Sequence, residues 1–175
     1  MVMNLPVMLG VFWWTGIVIA ESKPIKKGFD LGNATIPLKE IKDGGPKRDG
    51  IPAIDDPVFL SISETGYLEE EDLVMSITHR GITKAYPIRI LNFHEIVNDT
   101  IEDLDFAVTY CPLCGTGMIF DRTIDGEVTS FGVSGLLYQS DVLLYDRASE
   151  SLWSQLMMKS VSGSRVGTEL KWLAS

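Results

Sequence analysis

The stretch TYCPLCGTGMIF, residues 109 to 120, holds both cysteines of the chain, Cys111 and Cys114. Cys-Pro-x-Cys-Gly is the local pattern of a metal knuckle. Proline restricts the turn, and the glycine after the second cysteine accepts a positive φ, so that backbone amides can point at sulfur. Tetrahedral closure needs two more donors, and there are no further cysteines; the other soft or borderline donors are His79, His94 and the methionines. A two-cysteine, one-histidine site with an open position or a methionine suits copper or zinc. His94 is the expected third ligand, giving a metal site of Cys111, Cys114 and His94.

Two alternatives use the same pair. A thiol–disulfide oxidoreductase of the thioredoxin type needs the first cysteine at a helix N-terminus, where the dipole lowers its pKa. Gly115 and Gly117 bracket Thr116 and are poor helix starters, and the sequence resumes as a strand at Met118-Ile119-Phe120. The other alternative is an interaction module with a Cys111–Cys114 disulfide, permitted in an oxidising compartment, although closing so short a loop gains little stability. Covalent haem attachment requires histidine directly after the second cysteine, and Gly115 stands there.

Other chemistries find less support. Gly132-Val133-Ser134-Gly135 lacks the Gly-x-Ser-x-Gly spacing of a nucleophile elbow. No phosphate-cradling loop with Gly-Lys-Ser/Thr occurs. The chain carries 15 Lys+Arg against 24 Asp+Glu, a formal charge of −9. This argues against nucleic acid as a partner, which would need a basic face, and against binding to anionic membrane surfaces. Whether the domain is an enzyme stays open.

The elements that must position the cysteines follow from hydrophobic patterning. FAVTY, residues 106–110, is a strand with Phe106, Val108 and Tyr110 on one face, and it delivers the chain into Cys111. Before it, LVMSITHR and ITKAYPI form a hairpin about Gly81. Pro87 suits a helix start, and a principal helix is expected over about 87–98, with Ile90, Phe93, His94 and Val97 on one buried stripe. After the cysteines, Asp125-Gly126 marks a type I′ hairpin turn, and DVLLYDR and SLWSQLM add strands. The expected fold class is α+β, mainly antiparallel β hairpins with one principal helix, preceded by an N-terminal hydrophobic leader.

That leader, residues 1–20, contains no charged side chain and ends in Val18-Ile19-Ala20, which resembles the small-residue rule for signal-peptidase cleavage. About 20 helical residues would also just span a bilayer. Lys23, Lys26 and Lys27 follow the segment rather than precede it. Under the positive-inside rule that order favours a cytoplasmic domain. A true start elsewhere or an N-out anchor reconciles the two. We expect a signal peptide or membrane anchor over 1–20 and an extracytoplasmic domain, periplasmic or at the cell surface. Contact with a membrane is expected only through this segment. Residues 21–57, rich in Lys, Gly, Pro and Asp, are expected to form a tether and loop-rich segment, and 58–175 a single α+β domain.

Five blocks in order, DGGPKRDGIPAIDDP, AYPIRILNFHEIVNDTI, VTYCPLCGTGMIFDR, FGVSGLLYQSDVLLYDR and SLWSQ, resemble the DUF3179 family of uncharacterised bacterial and archaeal proteins. The resemblance runs from about residue 40 to 170 and implies a protein commonly exported or membrane-attached, with no activity to carry across. Family members continue past the GTEL block, so the resemblance also implies that this chain is C-terminally truncated. Its blocks bring forward Asp55, Asp56, His94, Glu95, Asn98, Asp99, Cys111, Cys114, Ser140, Asp146, Arg147, Trp153 and Gln155.

Overall fold

The computed structural model describes residues 23–174, so the leader expected over 1–20 lies outside the described residues. Among the described residues are fifteen strands and one α-helix. Five strands precede the helix: β1 (Ile25–Lys26), β2 (Phe29–Asp30), β3 (Ile41–Asp43), β4 (Val74–His79) and β5 (Ile82–Pro87). Helix α1 (Ile88–His94) leads into β6 (Ile96–Ile101), β7 (Leu104–Cys111) and β8 (Thr116–Asp121). Then come β9 (Thr123–Ile124), β10 (Glu127–Val128), β11 (Phe131–Tyr138) and β12 (Asp141–Asp146). The last three are β13 (Leu152–Ser154), β14 (Lys159–Ser162) and β15 (Trp172–Leu173). The class is α+β and every strand pair is antiparallel, as the hairpin-rich sequence leads one to expect.

Two sheets form the frame, one of five strands in the order β14-β13-β12-β11-β3 and one of four in the order β15-β8-β7-β6. Their facing sides bury Ile96, Ala107, Cys111 and Phe120 against Phe131, Val133, Val142, Leu144 and Trp153. Alternate residues of the same strands build two further cores. Outside the five-stranded sheet, Leu136, Leu143, Tyr145 and Val161 pack under Phe29, Leu31 and Ile36. Residues 25–43, within the stretch expected as tether and loop, are thus packed onto the domain, with β3 pairing to β11. Outside the four-stranded sheet, Val97, Phe106, Val108 and Ile119 pack under Ile77 and Tyr86 of the β4–β5 hairpin and Leu91 of α1. The central strands are therefore buried on both faces. The two sheets are pinned together by Asn98, whose side chain donates to Phe131 O at 2.9 Å and accepts from Phe131 N at 2.8 Å.

The hairpins form where their turn residues require. Asp125 and Gly126 both take positive φ, 53° and 82°, between β9 and β10. The helix departs from the expectation for 87–98. It ends at His94, because Glu95 takes φ 59° and the chain enters β6, so that Val97 and Asn98 are strand residues. The buried stripe consequently dissolves: Phe93 is 74% exposed and Leu91 is the buried helix residue. The apolar run Ile96-Val97 satisfies its burial between two packed layers as a strand, which an i, i+3, i+4 count cannot tell from a helix face. Among the described residues, no helix is long and apolar enough to cross a membrane.

Candidate metal centre

Cys111 closes β7 and Thr116 opens β8, with the two residues paired across a four-residue connection. Gly115 takes φ 69° there, and its amide bonds back to Cys111 O at 2.8 Å. This is the local conformation that the glycine after Cys114 anticipates. The turn leaves Cys111 buried and Cys114 exposed, both as free thiols.

A third acidic group meets them from the other sheet. Gln139 and Ser140 both take positive φ, 52° and 66°, in the tight β11–β12 turn, and β12 opens with Asp141 directly after them. Asp141 is 2% exposed. The Cys114 Sγ–H donates to Asp141 Oδ1 at 3.2 Å, with Thr116 Oγ1 a second neighbour at 3.3 Å. Cys111 Sγ lies 3.8 Å from Ser140 O. One ligand atom from each of Cys111, Cys114 and Asp141 falls within 4.8 Å of the others.

Asp141 Oδ2 has no hydrogen-bond partner among the described residues, although it is buried. A buried carboxylate oxygen left without a donor or cation is costly, by about 1–3 kcal/mol or more. Burial pushes the Cys111 thiol up to about 12, and the side-chain hydrogen bond with Cys114 adds to this. Backbone amides of Cys114, Leu113 and Val142 aimed at the same sulfur pull in the opposite direction. A metal ion bound at this sulfur would have to displace the Cys111 proton. A nucleophilic redox cysteine is held below its ordinary value, usually by a helix N-terminus. Here the pair sits on a strand–turn–strand, and α1 ends well before it.

His94 does not join this group. Its Nδ1–H donates to Pro52 O at 2.8 Å, and neither ring nitrogen converges with the two sulfurs. The reason is the loop before the β4–β5 hairpin. Ile54 runs beside β6, donating to Ile96 O at 2.9 Å and accepting from Asn98 N at 2.8 Å, which brings the Pro52 carbonyl over the end of α1. His79 is held elsewhere, with Nε2 2.9 Å from Asp103 Oδ1. Asp141 is the residue that sequence reasoning missed. It stands within the SDVLLYD block, and its signal is an acid opening an apolar strand straight after a two-residue turn.

Of the other residues brought forward by the sequence blocks, most support structure. Asp55 takes hydrogen bonds from Asn98 Nδ2 and Arg147 Nη1, both at 2.7 Å. Asp99 binds Lys84 Nζ at 2.8 Å and Tyr86 Oη at 2.7 Å. Asp146 accepts from Trp153 Nε1 at 2.8 Å in the core.

Residues 48–175 match the family model described as Protein of unknown function (DUF3179). No curated protein and no solved structure matches the chain.

Proposed function

The chain belongs to the DUF3179 family, and from that premise we propose that its domain binds a soft or borderline metal ion, copper or zinc, through Cys111, Cys114 and Asp141. The observation that carries this is Asp141 Oδ2, buried beside two free thiols with no partner among the described residues. A dication would meet the carboxylate and two thiolates together and replace a buried, unsatisfied oxygen with a ligand bond. Thiolate and carboxylate donors both fall within zinc chemistry, and thiolates also suit Cu(I). The exposed face of Cys114 supplies the route of entry. The uncharged stretch over residues 1–20 supports an exported, extracytoplasmic setting for this site.

The test is metal analysis of the whole chain, purified without a histidine tag and reconstituted with zinc or, anaerobically, with Cu(I). One ion per chain is expected, lost in Cys111→Ser and weakened at least tenfold in Asp141→Asn. A folded wild-type chain that retains neither metal after desalting would refute the proposal.

A further inference from the structure

We propose that Gln155 supplies a fourth donor, its amide oxygen, to the cation held by Cys111, Cys114 and Asp141, and that the two oxygens of this set raise affinity for a zinc-like dication without raising it for Cu(I). The inference rests on the reading of the metal centre given above and specifies which ion the oxygen donors serve.

Gln155 follows the last residue of β13 and is fully buried, at 0% exposure. Its Nε2 donates to Thr116 O at 3.1 Å. That bond decides which end of the amide is which, because a carbonyl can only accept. The oxygen, Oε1, is left with no partner among the described residues. Thr116 is also the residue whose hydroxyl lies 3.3 Å from Cys114 Sγ. The strand register points to the same place. Ser154 pairs with Leu143, so the next step along both strands sets Gln155 beside Val142, the residue after Asp141. Two buried, orphaned oxygens thus stand on neighbouring strands at the same end of one sheet, joined through Thr116 to the cysteine turn.

Ligand softness gives this arrangement a consequence. Two thiolates are sufficient for Cu(I), whereas oxygen donors add affinity for harder, higher-coordinate ions. Asp141 and Gln155 therefore contribute to zinc binding far more than to Cu(I) binding.

The experiment measures zinc and Cu(I) affinities of the full chain by competition with chromophoric chelators, for wild type, Gln155→Leu and Gln155→Glu. Gln155→Leu is expected to lose about 10- to 100-fold in zinc affinity with Cu(I) affinity unchanged within about twofold. Gln155→Glu, which restores an oxygen donor, should recover zinc binding. Should Gln155→Leu not fold, the glutamate variant still tests the idea: it keeps an oxygen donor but loses the N–H that Thr116 O accepts, so its zinc affinity should change by at least about threefold while Cu(I) affinity stays within about twofold, and equal shifts for the two metals would overturn the inference. Equal zinc affinity in wild type and a folded Gln155→Leu would overturn the inference while leaving the three-residue site standing. A parallel fall in both metals would also overturn it, by showing that Gln155 only supports the turn. A folded wild type that binds neither metal would remove the centre itself.

Discussion

Glu95 offers a sharp test of how the turn into β6 is built. It ends α1 at φ 59°, and its carboxyl is pushed up from 4.5 to about 7 by burial, with no donor or cation paired to it among the described residues. The folded state therefore holds this proton more tightly than the unfolded chain does. Its contribution is fully present below about pH 4.5 and is lost as pH rises through about 7. At 1.36 kcal/mol per pH unit, complete desolvation would make the loss about 3 kcal/mol. Water reaches part of the carboxyl, and screening reduces the figure to about 1–2 kcal/mol. Glu95→Gln cannot ionise, so it should match wild type near pH 4.5 and exceed it by about 1–2 kcal/mol at pH 8. Urea denaturation of both proteins across this range, with chelator present to remove metal linkage, measures the difference and cancels every other titrating group. A difference that stays constant from pH 4.5 to 8, or a variant less stable at pH 8, would show the reasoning to be wrong.

Two further outcomes follow from geometry described above. Asn98→Ala removes both bonds to the Phe131 backbone and leaves its buried N–H and C=O unpartnered, so chemical denaturation should report a loss of about 2–4 kcal/mol. His94→Ala should leave metal stoichiometry at one per chain and zinc affinity within about threefold of wild type, because neither ring nitrogen falls in the group formed by Cys111, Cys114 and Asp141; a chelator-competition titration that loses zinc would contradict this.

Much of the fold was legible in local chemistry. Glycine and aspartate turns announce themselves through positive φ, and the Gly81 and Asp125-Gly126 hairpins form as their residues require. The helix limit was less legible, since Ile96 and Val97 are apolar for a reason that lies in other parts of the chain: layers on both sides of β6. The same holds at the candidate metal centre. Cys111 and Cys114 are visible as a pair because one turn holds both. Asp141 comes from a different sheet, and its approach depends on how the sheets stack. His94 looked suitable by its position before the cysteine strand, yet its ring lies outside the group of Cys111, Cys114 and Asp141, with Nδ1 turned to the Pro52 carbonyl of a loop of no regular pattern.

The stacking of the two sheets has a mechanical consequence. The cysteines are carried by the β7–β8 turn and Asp141 by β12, so the three candidate ligand groups straddle the gap between layers. At one location that gap is already crossed by Asn98. An ion at the centre would act as a second rivet, and shear between the sheets would have to stretch ligand bonds at one point and amide bonds at another. Occupancy would then be felt as stiffness along β6, β7, β11 and β12, far beyond the few atoms that touch the ion.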